Sequence, residues 1–178
     1  MIKPFDDAQV IAGQGTIGLE IATQAAAKGV ERADVLIPCG GGGLTSGIAL
    51  ALAADAPGLT PRTVEPTGFD DVARSLASGR IQTNQRQSGS ICDAIITPSP
   101  GHLTFPIMQK LCGPPMVVPE GDCLRAMADA LAAAIHELAF EPLTFRAARK
   151  IHARALIEKR YSVARNLANF EQAYGSLA

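Results

Sequence analysis

The chain has 178 residues, 47% apolar, 19% charged and 4% aromatic, with no tryptophan. That is enough apolar material for one globular domain with its own core, and too little charge for a disordered tail. With 16 basic and 17 acidic residues the net charge is −1, which offers no electrostatic footprint for nucleic acid. The average hides a split, because residues 1–142 carry −6 and residues 143–178 carry +5.

Asp7 to Lys28 repeats apolar residues at helical intervals (Val10, Ile11, Ile17, Ile21, Ala25). Gly13, Gly15 and Gly18 predict a loosely wound start to this helix. Ala33–Pro38 reads as a strand running into glycines, and Leu44–Asp55 as an Ala- and Leu-rich helix closed by Ala-Pro-Gly. Pro61–Pro66 suits a strand, and Asp70–Ser78 a helix with acids in its first turn. Gly79–Gly89 is a polar loop, Asp93–Thr97 a short strand candidate, and Leu103–Leu111 a short helix after the turn Pro98–Gly101. Met116–Val118 is a further strand candidate, and helices follow over Glu120–Leu138 and Arg146–Phe170. The alternation predicts an α/β fold with an open, mostly parallel sheet flanked by helices.

Cys39, Cys92, Cys112 and Cys123 form no C-x-x-C pair and have no histidine at zinc-ligand spacing, so free thiols in a cytoplasmic protein are expected. No apolar run approaches the ~20 residues a membrane span needs. His102, His136 and His152 are scattered and flank no nucleophile motif. The basic residues after Arg146 lack the aromatic interleaving of a nucleic-acid surface and read as a solvated helix face.

The most informative segment is Cys39-Gly-Gly-Gly-Gly-Leu-Thr-Ser-Gly47. Four glycines between a strand and a helix let successive N–H groups close around an anion at the helix N-terminus, and a phosphate is the natural guest. A plain turn would need only one or two of them. Gly13-Gln-Gly-Thr-Ile-Gly18 is a literal G-x-G-x-x-G, but Lys3–Asp7 is a poor strand to precede a dinucleotide loop. No Gly-Lys-Ser/Thr follows Gly40–Gly43, which disfavours nucleotide hydrolysis. Glu65-Pro-Thr-Gly-Phe-Asp-Asp71 brings carboxylates and loop carbonyls together, a set that suits Mg²⁺ or Ca²⁺ or simply decorates a helix start.

The order of these motifs resembles the second half of the threonine dehydratase and serine racemase family. They are Pro4–Asp7 with Ile11–Ile17, Gly40–Leu44, Val64-Glu-Pro66, Cys92-Asp-Ala94 and Pro100–Pro106. These are fold-type II pyridoxal-phosphate (PLP) enzymes related to the tryptophan synthase β subunit. The resemblance, over about Lys3–Pro142, implies that Gly40, Gly41, Gly42, Gly43 and the Leu44 amide bind the cofactor phosphate. It also implies a cation held by Glu65, the Phe69 carbonyl and Asp71.

Family members hold PLP through a Schiff-base lysine in a Ser-x-Lys motif of the N-terminal half, and Lys3, Lys28, Lys110, Lys150 and Lys159 match no such motif. No catalytic residue is therefore assigned, and a phosphate cradle without a covalent cofactor link is expected. After Glu141-Pro142 the chain departs from the family's small residues, so 1–142 is read as a dehydratase-like segment and 143–178 as a divergent basic helical end. The leading expectation is a truncated hydroxy-amino-acid ammonia-lyase, inactive alone, that self-associates or pairs with a chain supplying the missing half. The alternative is a non-catalytic module that binds a phosphorylated ligand or a subunit.

Overall fold

The computed structural model describes residues 4–140, with side chains described through residue 134. The expected change of character after Pro142, the helix over Arg146–Phe170, and Lys3, Lys150 and Lys159 lie outside the described residues. The chain divides into two compact units, Met1–Arg125 and Ala126–Ala178.

In the first unit, helix α1 spans Ala8–Ala27, β1 Ala33–Pro38, α2 Gly43–Asp55, β2 Leu59–Pro66, α3 Asp71–Ser78, α4 Thr104–Leu111 and β3 Met116–Val118. Helix α5, Glu120–Phe140, starts in this unit and supplies the described part of the second. The three strands form a parallel sheet in the order β1-β2-β3, registered Ala33 to Leu59 through Pro38 to Val64 and then Val64 to Met116 through Pro66 to Val118. This is the expected open α/β architecture. Asp93–Thr97 is not a strand: Asp93–Ile95 forms one 3₁₀ turn, in which the Cys92 carbonyl accepts from Ile95 N–H at 3.1 Å. A segment with a proline one residue beyond Thr97 and turn residues before it closes locally instead of joining the ladder.

Helix α1 is continuous through its glycines. Asp7 caps it, its carboxylate accepting from the amides of Gln9 at 2.8 Å and Val10 at 3.2 Å. It ends in a Schellman arrangement, with Gly29 at φ +67° and the amides of Gly29 and Val30 donating to Ala26 and Ala25. The G-x-G-x-x-G string therefore lies wholly inside a helix, where its last glycine, Gly18, lets α1 lie close on α2. A β-carbon on Gly18 would meet the Ile48 carbonyl at 2.9 Å, and one on Gly47 would strike the backbone of Ile11 and Gly15. The core below consists of Ile37, Ile48, Leu52 and Leu59, with Ile21, Ala22 and Ala25 of α1 packed against it.

Strand β2 buries alternate residues, Leu59, Pro61, Thr63 and Glu65, which is the period-two rule of a pleated strand. That alternation drives a carboxylate into the interior at Glu65. A second cluster, Cys39, Val72 and Met108, joins the end of β1 to α3 and α4. Among the described residues β1 pairs with β2 alone and leaves Leu36 55% exposed, and no helix is long and apolar enough to cross a membrane.

Candidate functional site: a glycine-loop cavity beside two buried acids

The loop after β1 is held at both ends. Cys39 N–H donates to the Val64 carbonyl at 3.0 Å, extending the β1–β2 ladder by one residue, and Ser46 N–H donates to the Gly42 carbonyl at 2.8 Å as α2 begins. Gly42, the residue from which α2 starts, has φ +90° and no side-chain cap, so the first amides of the helix point into the space before it. A β-carbon there would also press on Met108 Sδ and Thr104 Oγ1, both at 2.9 Å. Gly41 and Gly43 lie against Phe5, whose ring and backbone fill the place a β-carbon would take.

The turn Pro98–Thr104 clamps the loop from the other side. Thr104 Oγ1 donates to the Gly41 carbonyl at 2.6 Å, Gly101 N–H donates to the same carbonyl at 3.1 Å, and Ser46 Oγ donates to the Thr104 carbonyl at 3.3 Å. This explains the Pro100–Pro106 motif physically: it fixes a glycine loop that has no side chains to fix itself.

Gly40, Gly41, Gly42, Gly43 and Leu44 all line one cavity of about 440 Å³, together with Phe5, Thr45, Ile95 and Thr97, a volume ordinary for a small-molecule site. Two hydroxyls in its wall, Thr45 Oγ1 and Thr97 Oγ1, are buried without a hydrogen-bond partner among the described residues, and Thr45 is 0% exposed. Buried polar atoms left unpaired cost about 1–3 kcal/mol each, and here they share the cavity with the start of α2. Among the described residues the wall contains no lysine or arginine, so charge balance for an anion rests on amides, hydroxyls and the positive end of the helix.

The acids singled out in the sequence, Glu65 and Asp71, lie in the interior with Phe69. Glu65 and Asp71 are each 1% exposed and Phe69 2%. The Glu65 carboxylate reaches from β2 to the start of α3, where Oε1 accepts from Val72 N–H at 2.9 Å and Oε2 from Ala73 N–H at 2.7 Å. Asp71 Oδ1 accepts from Asn84 Nδ2 at 2.5 Å, while Asp71 Oδ2 is buried with no partner among the described residues. Burial pushes Glu65 up to about 8 despite its two amide donors, and the charges of Asp71 and Asp70 add to the rise. Burial likewise lifts Asp71 to about 6, against the Asn84 hydrogen bond and Arg74. Cys39, beside the glycine loop, is raised to about 12, chiefly by burial, against the neighbouring Thr45 hydroxyl and helped by Glu65, Cys112 and Asp71.

Two buried acids, each pushed toward its neutral form by burial, and one unpaired oxygen suit a counter-charge such as a hard divalent cation. Among the described residues no three acidic, histidine or cysteine side chains cluster, so the third protein ligand would be a carbonyl such as that of Phe69.

A family model for pyridoxal-phosphate dependent enzymes matches residues 1–163. The chain belongs to that family. It is similar to a serine racemase of Dictyostelium discoideum, with 42% identity over 129 residues, 71% of this chain and 38% of that protein. It is also similar to the catabolic L-threonine dehydratase TdcB of Escherichia coli K12, with 37% identity over 126 residues, 71% of this chain and 37% of that protein. The crystal structure of a T.th. threonine deaminase superposes with a TM-score of 0.66 and 44% identity, covering 69% of this chain and 45% of that one. The chain thus spans less than half the length of these relatives. Family membership implies PLP as the cofactor, and the loop passes the test of fit, since its unpaired hydroxyls and free helix start are donors suited to a phosphate.

Sequence reasoning singled out the glycines and the acids but missed Thr45, Thr97, Thr104 and Asn84. Thr45 had a signal, being the hydroxyl next after the loop at the first turn of α2. Thr97 and Asn84 had none, because only the folded 79–98 segment brings them to the site.

Proposed function

We propose that this chain carries the phosphate-binding and cation-binding half of a PLP-dependent ammonia-lyase acting on hydroxy amino acids such as L-threonine or L-serine. The observation that carries the proposal is the pair of unpaired buried hydroxyls, Thr45 and Thr97, on residues that line the same cavity as the uncapped start of α2. The threonine dehydratase and serine racemase relatives indicate the substrate class.

The amides of Gly40 to Leu44 would hold the cofactor phosphate, with the Thr45 and Thr97 hydroxyls donating to it. Thr104 and Gly101 keep the Gly41 carbonyl turned away from the anion by occupying it. When bound, PLP supplies the electron-withdrawing ring that makes the amino acid's α-proton removable and its β-hydroxyl expellable. Glu65, Asp71 and the Phe69 carbonyl would hold Mg²⁺ or Ca²⁺, which cancels the charge of the two acids and fixes the start of α3 against β2.

Among the described residues no lysine lines the cavity: Lys28 follows α1 and Lys110 lies on α4. The described wall of the cavity would thus hold the phosphate without an amine base, and in an active assembly a partner segment or second chain would supply that group.

The test is to incubate the 178-residue protein with PLP and L-threonine or L-serine, measure 2-oxo acid, and reduce a parallel sample with borohydride. The expected result is release at the buffer rate and no lysine carrying the cofactor in peptide maps. Turnover above buffer that a carbonyl trap abolishes would overturn the proposal of an inactive cradle.

A further inference from the structure

Two of the four cysteines meet where no sequence motif announces them. Cys92, just before the 3₁₀ turn, and Cys123, in the first turn of α5, are separated by 31 positions, and their sulfurs lie 3.8 Å apart. Both are half-buried, within reach of solvent. Cys123 is itself raised, by burial and by Cys92, Asp122 and Glu120, so the pair is singled out by its sulfur–sulfur contact, which the other two thiols lack, together with its access to solvent. Cys39 is buried in the second core cluster and Cys112 packs against that cluster, and burial pushes them up to about 12 and 11, so neither offers a thiolate at neutral pH.

The segment carrying Cys92 already leans on α5: Ile91 N–H donates to Glu120 Oε1 at 3.0 Å. Cys92 is itself fixed by its N–H donating to Ser90 Oγ at 3.0 Å. Beyond it, Ala94, Ile95 and Thr97 form one wall of the glycine-loop cavity. That wall is secured at its far end by Asn84, whose amide nitrogen donates to the Thr97 carbonyl at 2.9 Å. At its near end the hydrogen bonding to α5 among the described residues consists of one exposed amide–carboxylate bond beside the thiol contact.

We propose that Cys92 and Cys123 are a redox modification site, closing to an intrachain disulfide under peroxide and pinning the Ala94–Thr97 wall of the cavity to α5. A disulfide sulfur pair lies about 2.05 Å apart, so closure needs a movement of about 1.8 Å, shared by two half-exposed side chains near the ends of their elements. In the chemistry, one thiolate attacks hydrogen peroxide, the O–O bond breaks and an S–O bond forms, giving a sulfenic acid as the peroxide is reduced to water. The second thiol attacks that sulfur, the S–S bond forms, and the S–O bond breaks with loss of a second water that carries the thiol proton. Two thiols and one peroxide yield one disulfide and two waters. The proposal needs only the two thiols and stands whether or not the cavity holds PLP.

The experiment treats the 178-residue protein with hydrogen peroxide, blocks residual thiols, and digests with trypsin and a glutamate-specific protease under non-reducing conditions. These enzymes place Cys92 on residues 87–110, Cys112 on 111–120 and Cys123 on 121–125. The expected species joins residues 87–110 to 121–125, lighter than the two reduced peptides by two hydrogens, in protein that stays monomeric on a non-reducing gel. It disappears in C123S, whose half-exposed site leaves the core untouched. Amide hydrogen exchange at residues 94–97 should slow at least tenfold on oxidation and recover with dithiothreitol. Over-oxidation of either thiol without linkage, a link through Cys112, or a link only between chains would overturn the site. Unchanged exchange at residues 94–97 in the linked protein would overturn the pinning of the wall.

Discussion

In the absence of divalent cations the stability of this protein should fall steadily as pH rises from about 5 to 8. Glu65 lies at about 8 in the folded state against an ordinary 4.5, and Asp71 at about 6 against 3.8. Between those limits the folded state holds protons that the unfolded chain has released, so unfolding releases protons and ΔG falls with pH. One such proton gives a slope of about 1.4 kcal/mol per pH unit, and the lift of Glu65 from 4.5 to about 8 amounts to roughly 4–5 kcal/mol once the window is crossed. The two acids are neighbours, so they titrate as a pair and the Asp71 contribution is not simply added. Glu65→Gln removes the titration and leaves one of the Val72 and Ala73 amides without its acceptor, a pH-independent cost of about 1–3 kcal/mol. The variant should therefore be less stable than the parent at pH 5 and equal or more stable at pH 8. Urea unfolding at half-unit steps of pH in chelator measures both curves. Millimolar Mg²⁺ or Ca²⁺ at pH 8 should restore the parent, by about 2.7 kcal/mol at one hundred times the dissociation constant, and leave the variant unchanged. A flat parent curve from pH 5 to 8, or a variant with the parent's slope, would refute the reasoning.

Thr45→Val keeps the shape but removes an unpaired hydroxyl, so it should stabilise the free protein by about 1 kcal/mol while weakening phosphate binding about tenfold, read by thermal melts and calorimetry. Gly42→Ala must hold a left-handed φ of +90° and push on Met108 and Thr104. It should cost about 2–4 kcal/mol in unfolding experiments and abolish binding at the loop. Gly18→Val should destabilise by more than about 2 kcal/mol through the α1–α2 contact, and nicotinamide nucleotides should give no thermal protection to the parent, because the G-x-G-x-x-G lies inside helix α1 and forms no loop.

The sheet was legible because its strands are short apolar runs bounded by turn residues, and β1 at Ala33–Pro38 and β3 at Met116–Val118 fall where those runs lie. The tetraglycine loop was legible because a run of glycines between a strand and a helix exceeds what a plain turn needs. Glu65 was visible as an acid after a strand, but its burial follows from the two-residue alternation of β2, and its amide donors come from a helix seven positions later. Asp93–Thr97 misled, since a run of apolar residues carries no record of whether a ladder partner is within reach. The glycines of α1 misled toward loose winding because the close approach of Gly18 to α2 is tertiary. The thiol pair was invisible for the same reason, its members lying 31 positions apart.

The account turns on the glycine loop as a phosphate cradle, and the most direct measurement is a paired calorimetric titration of the 178-residue protein with PLP and with pyridoxal, which lacks only the phosphate. PLP binding at one site per chain, with pyridoxal weaker by at least a hundredfold, is the predicted result. Equal affinities for the two, or no binding of PLP, would contradict it.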